Sequence, residues 1–321
     1  MQTIISKDIE VATQILERGD IIAIPTETVY GLAGNIFDDG AIRKIFALKQ
    51  RPLFNPLIVH IPSINNLNDI VEDVPIKANK LADAFWPGPL TLILKKKSAV
   101  PDLVTAGKPT VAVRIPNHPL TLQLLENLNF PLAAPSANPF GSISPTTPSH
   151  VFGYFSGKLP MVLDGGNCER GIESTIIGFE NDEPIVYRLG SIALEEIEVV
   201  VGPVKVRNKK ESTPTAPGML SRHYAPNTPT HLVEDVSDFI AHMVGEKIGV
   251  VLFKEKIKEG HHIHQIVLSD AGNLEEATSR LYAALHYLDG MDLDLIVAEK
   301  FPDEGLGKSI NDRLERATKQ K

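Results

Sequence analysis

The chain has 321 residues, 43% of them hydrophobic and 22% charged, with a formal net charge of −8. That length allows one large and one small domain, while the acidic balance argues against a broad surface for nucleic acid or anionic lipid, leaving room only for a small basic pocket. The only cysteine, Cys168, excludes an internal disulfide and a multi-cysteine zinc site.

The N-terminal residues carry neither the basic segment nor the long apolar stretch of a secretory signal, and no apolar run approaches the ~20 residues of a membrane span; a cytoplasmic protein is expected. Ile21–Ile24 reads as a buried strand stopped by Pro25. The hydroxyl-rich segment Pro25–Leu32 follows, either a self-capping turn or the strand-end lining of a ligand crevice. Asp39 is the expected cap of a helix with Ile42, Ile45 and Phe46 on one face, ended by Pro52. Arg51 precedes proline and is expected to be extended, so Lys49 and Arg51 can point the same way. Two cations together suit a polyphosphate, although a solvated basic helix end explains them equally simply. Asn55 and His60 flank the run Pro56–Val59.

A helix closing at Leu81–Trp86 is broken by Pro87-Gly88-Pro89 before a strand at Leu90–Leu94. Further strands are expected at 110–115, 131–135, 161–163, 174–179 and 185–189. In Thr110–Pro116, alternation places Thr110, Ala112 and Arg114 on one face. An arginine inside such a strand needs either solvent or an anion, and its planar fork suits a carboxylate. Pro131–Asn138 runs from an apolar strand into small polar residues; Ser144, Glu173-Ser174-Thr175 and Arg188 add candidates. Prolines 203, 214, 217, 226 and 229 mark a stiffened linker. Beyond it, strands at 247–253 and 293–297 flank an amphipathic helix marked by Leu274, Leu281, Leu285 and Leu288. The division expected is 1–205, a linker at 206–229, and 230–321. Both domains read as α/β, with parallel and antiparallel pairing left open.

Six segments in order resemble the YrdC-like family, specifically its long two-domain threonylcarbamoyl-AMP synthases. They are Pro25–Leu32, Lys49-x-Arg51-Pro52 with Asn55-Pro56-Leu57, Trp86–Thr91, Thr110–Pro116, Pro135-Ser136-Ala137-Asn138 and Glu173–Ile176. Ala216–Pro226 resembles the connector of the two-domain form. The resemblance implies a YrdC-like twisted mixed-sheet catalytic domain plus a small Rossmann-like α/β C-terminal domain. It implies that L-threonine, bicarbonate or CO2 and ATP give L-threonylcarbamoyl-AMP and pyrophosphate, with Mg2+ accompanying ATP. The product would pass to a separate transferase that modifies adenosine 37 of tRNA. Carried over, Lys49 and Arg51 would bind phosphate and stabilise developing charge. Asn55, Thr110, Ser136, Asn138, Ser144, Arg188 and His223 would hold the rest of ATP, and Thr28, His60, Arg114, Ala134 and Ser174 would hold threonine. His223 would bring the linker over the nucleotide as a lid.

Gly305-Leu306-Gly307-Lys308-Ser309 is not a P-loop, because Pro302 stands where the motif needs glycine. His261-His262-x-His264 is expected to be an exposed loop rather than a metal site, and Cys168 structural rather than reactive. The rival readings are an RNA-binding module, disfavoured by the acidic balance, and a hydrogenase-maturation type of carbamoyl-adenylate enzyme, whose cysteine-rich zinc segments one cysteine cannot supply.

Overall fold

The computed structural model describes residues 2–207, 222–243, 245–258 and 263–319. An eleven-stranded mixed sheet organises the N-terminal part, and a separate four-stranded sheet lies beyond the linker. At the centre of the large sheet, Ile58–His60 pairs parallel with Thr110–Arg114 and antiparallel with Leu132–Ala133. Leu90–Lys95 pairs antiparallel with Thr110–Arg114 and parallel with Thr175–Glu180, which turns back into Glu183–Arg188. The small sheet is wholly parallel, in the order Thr230–Val233, Leu295–Glu299, Ile248–Leu252, Ile263–Val267.

Local chemistry explains the elements next to the cleft. Asp38, not Asp39, caps the helix Asp39–Lys49, its carboxylate accepting from the backbone N–H groups of Gly40 and Ala41. The helix ends in a left-handed Gln50, with φ of 53°. Lys49 is therefore the last helical residue, and the cap rather than an extended Lys49-x-Arg51 run brings the two cations together. After Trp86, Gly88 is required because a Cβ there would collide with the Phe85 carbonyl. Its N–H donates to Ile115 and its own carbonyl receives Arg114 Nε.

Apolar clusters occupy both faces of the large sheet, one including Leu32, Ile45, Val59 and Val113, the other Leu16, Ile24, Leu124 and Met161. A third joins the two parts of the chain: Val29, Ile143, Ile172 and Tyr224 pack with Leu281, Tyr282, Leu285, Ile310 and Leu314. The helices Leu274–Asp289 and Gly307–Ala317 thus dock against the loops at the mouth of the large sheet. Gly307 opens the second of these helices; Lys308 bonds to Glu195 and Ser309 to the Gly190 carbonyl, so both serve this contact. No helix among the described residues is long and apolar enough to cross a membrane.

Candidate active site

A cleft opens where the strands Ile22–Ile24, Ile58–His60, Thr110–Arg114 and Leu132–Ala133 end. Its walls include Thr26, Thr28, Arg51, His60, Arg114, Ala134, Ser136, Glu173, Ser174, Arg188, His223 and Tyr224, around about 560 Å³ of empty space counting the open mouth. The parallel register puts His60 beside Arg114, and the antiparallel one puts His60 beside Leu132. Alternation along these short strands therefore aims residues distant in sequence at one point.

The cationic side is built on neutral acceptors. Arg51 donates through NH2 to Asn55 Oδ1 and the Pro56 carbonyl, both at 2.7 Å, and through Nε to the Asn55 carbonyl at 3.2 Å. Lys49 Nζ is held by the carbonyls of Ser136 and Asn138, and the Lys49 carbonyl accepts from Phe140 N–H. Burial, then the Arg51 charge, pushes the Lys49 ammonium well below its ordinary range. Burial and the Arg188 charge bring Arg51 down to about 9. Arg188 binds the Ser174 carbonyl and hydroxyl. Gly190 makes this possible, since a Cβ there would enter the Ser174–Thr175 peptide.

On the opposite side, Arg114 is already matched. Its NH2 lies 2.6 Å from Glu27 Oε1 in a buried ion pair, and its NH1 donates to Thr28 Oγ1 at 2.9 Å. Thr26 Oγ1 gives its proton to the Val29 carbonyl, so Thr28 is the donor in the 2.8 Å Thr26–Thr28 contact. The Thr28 hydroxyl oxygen can then only accept. His60 is held down to about 3 by burial and by Arg114, and stands as a neutral imidazole.

Among the described residues, the buried polar side-chain atoms without a hydrogen bond gather here. His60 Nδ1, Arg114 NH2, His223 Nδ1 and Tyr224 Oη belong to the cleft wall, Glu27 Oε1 is the ion-pair partner of Arg114, and Asn55 Nδ2 and Asn138 Oδ1 belong to side chains carrying Arg51 or adjoining Lys49; His118 Nδ1 lies elsewhere. Such atoms are rare in folded proteins and mark places where a ligand completes the bonding. The linker contributes directly: His223 packs edge-on against Phe140, and Ala225 N–H bonds to the Gly141 carbonyl.

Most residues singled out from sequence converge. Thr28, Arg51, His60, Arg114, Ala134, Ser136, Ser174, Arg188 and His223 line the cleft. Lys49, Asn55, Asn138 and Ser144 stand behind the wall, bonded to it. Thr110 does not join them. It begins the strand that Arg114 ends, about 13 Å away at the usual rise, and lines a separate depression with Ile93, Lys95 and Phe179. Ala216–Ser221 of the connector and His261–His262 lie outside the described residues. Cys168 is buried, its thiol raised by burial. Glu27, Tyr224, Tyr282 and Arg313 were not among the candidates; for Glu27, its place inside Pro25–Leu32 was the available signal.

Residues 14–190 match the family model Sua5/YciO/YrdC, described as telomere recombination, and residues 192–318 match the threonylcarbamoyl-AMP synthase C-terminal domain. The threonylcarbamoyl-AMP synthase of Pyrococcus abyssi is 40% identical across 97% of this chain and 94% of its own. That of Bacillus subtilis is 40% identical, across 95% and 91%. The crystal structure of P. abyssi Sua5 complexed with L-threonine superposes with a TM-score of 0.92, at 38% identity, covering 99% of this chain and 98% of that one. The chain belongs to the Sua5/YciO/YrdC family. Within it, the second matched segment places the chain in the two-domain Sua5 form, that of the threonylcarbamoyl-AMP synthases.

Proposed function

We propose that this enzyme makes L-threonylcarbamoyl-AMP and pyrophosphate from L-threonine, bicarbonate or CO2, and ATP, supplying the threonylcarbamoyl group for adenosine 37 of tRNAs that read codons beginning with A. The observation that carries the reading is the pair Lys49 and Arg51, buried and bonded to carbonyl and amide oxygens. A buried charge held only by neutral acceptors costs free energy until an anion arrives, and a polyphosphate supplies that anion. The relatives' names and the threonine complex of P. abyssi Sua5 support the same substrates.

In this reading the threonine amine takes up CO2 as a carbamate, the carbamate oxygen bonds to the α-phosphorus, and the bond to pyrophosphate breaks. No protein nucleophile is consumed; the site orients the two reactants and stabilises developing charge. Arg51 faces the phosphates, and Lys49 adds positive charge from behind the cleft wall. Arg114 faces the threonine carboxylate but shares its charge with Glu27, so it works chiefly as a fixed donor. Mg2+ enters with ATP, with phosphate oxygens and water as its natural ligands. The product then passes to a separate transferase.

Mass spectrometry of the purified protein with ATP, Mg2+, L-threonine and labelled bicarbonate, alongside pyrophosphate release, tests this. A threonine-dependent labelled adenylate is expected. ATP and threonine binding with no labelled product would overturn the assigned reaction.

A further inference from the structure

The two parts of the chain meet the cleft through one carboxylate. Glu173 lines the cleft, yet its oxygens are taken from the other side. Oε2 accepts from Arg313 Nε at 2.9 Å and from Tyr282 Oη at 3.0 Å, and Oε1 accepts from Ser144 Oγ at 2.6 Å. Tyr282 lies on Leu274–Asp289 and Arg313 on Gly307–Ala317, both beyond the linker. Arg313 also donates to the Leu189 carbonyl, next to Arg188, at 2.7 Å. Its guanidinium carbon lies 4.8 Å from the centre of the Tyr224 ring, which in turn stacks on Tyr282. A single side chain of the second domain thereby reaches Glu173 and Tyr224 of the cleft wall and the residue that follows Arg188.

Domain docking alone does not account for these residues. Arg313 is 1% exposed and Tyr282 0%, inside a boundary that already has an apolar cluster. Replacing a buried ion pair by packed apolar groups is often neutral or stabilising, so attachment alone would be served as well by Met and Phe. What the polar groups add is orientation. Burial would raise the Glu173 carboxyl, but Arg313, Arg188 and the Ser144 hydroxyl outweigh it and hold it below its ordinary value. An ionised carboxylate only accepts, so Ser144 must donate to Glu173 and presents its own oxygen as an acceptor. Glu173 also precedes Ser174, which anchors Arg188.

We propose that Arg313 and Tyr282 are positioning residues of the active site, clamping Glu173 so that Ser144, Ser174 and Arg188 are set for the nucleotide. The inference rests on the proposed function and gives the second domain a part in turnover. The test compares pyrophosphate release by wild type, Tyr282→Phe, Arg313→Met, and Arg313→Met combined with Glu173→Gln. Arg313→Met should unfold in one cooperative transition yet lose about 10²-fold in kcat, the scale of a small misplacement of reacting groups. Its rate should also fall as pH is lowered across neutrality where wild type is flat, because buried Glu173 has lost its nearest cation; adding Glu173→Gln should abolish that acid limb. Tyr282→Phe, which keeps the packing, should lose rate without the limb. Wild-type kcat and pH profile in Arg313→Met and Tyr282→Phe, whatever their melting temperatures, would overturn the inference. If wild type releases no pyrophosphate, the proposed function fails instead. ATP affinity of the same variants by calorimetry then decides the clamp, unchanged affinity overturning it.

Discussion

Arg114 and Glu27 form an ion pair of 2.6 Å with side chains only 5% and 3% exposed. Removing one partner strands the other charge in the interior. Arg114→Ala should therefore weaken threonine binding in calorimetry and also destabilise the fold by about 3–5 kcal/mol, as for other broken buried pairs. Adding Glu27→Gln should restore part of the stability but not the threonine affinity. Unchanged threonine affinity in the single variant would remove Arg114 from the substrate site.

Arg51 is predicted to matter in the chemical step. Arg51→Ala should lower kcat for pyrophosphate release by roughly 10²–10³-fold, typical of removing one preorganised charge stabiliser. A wild-type rate would mean that the Arg51–Asn55–Pro56 arrangement serves only the turn.

Lys49 has a double task. Its Nζ satisfies the carbonyls of Ser136 and Asn138 while presenting positive charge near Arg51. Lys49→Met should leave the Asn138 carbonyl without a donor, at a cost of about 1–3 kcal/mol, while the Ser136 carbonyl keeps the Asn138 N–H, and should weaken ATP binding. Chemical denaturation read together with ATP calorimetry separates the two effects. Loss of stability with intact ATP affinity would confine Lys49 to bracing the loop.

Acid should loosen the molecule through histidines. His60 is held down to about 3 and His150 to about 4, in both cases by burial first. The Thr146 N–H donates to His150 Nδ1, which fixes that nitrogen unprotonated, and the ring stacks on His286 at 3.9 Å across the domain boundary. Unfolded histidines titrate near ~6.5. Between these values the unfolded chain binds protons that the folded chain excludes, so stability is full above about 6.5 and is lost as pH falls toward 4. Melting temperatures from pH 8 to pH 4 should show this limb, and His150→Phe should make it shallower. An unchanged slope would remove the His150–His286 stack as a source of acid lability.

Much of the large sheet was legible because its strands announce themselves. Leu90–Lys95 and Thr110–Arg114 are apolar runs closed by Pro or Gly chemistry, and the Arg114 alternation aimed that side chain correctly into a shared cleft. Where local pattern and tertiary need diverged, the reading fell short. Thr110 shares a face with Arg114 but not a location. The strand Ile263–Val267 carries His264 and Gln265, and only its parallel partner Ile248–Leu252 makes it a strand. The helix Gly307–Ala317 shows the same limit: Ile310, Leu314 and Ala317 repeat at helical spacing, but Ser309, Asn311, Arg313 and Arg316 are buried beside them, and nothing local marks those polar residues as interior. No local rule predicts that a carboxylate at 173 will meet a guanidinium 140 positions later.

That separation has a consequence for synthesis. While the chain emerges from the ribosome, the large sheet can pair all its central strands long before the helix bearing Arg313 exists. Until then Glu173 has neither Arg313 nor Tyr282, and His223 lacks its backbone bond to Arg316. A nascent first domain should accordingly be folded but idle, with activity in stalled chains appearing abruptly once residue 317 has cleared the exit tunnel. The clamp would make synthesis of the helix Gly307–Ala317 a condition for consuming ATP.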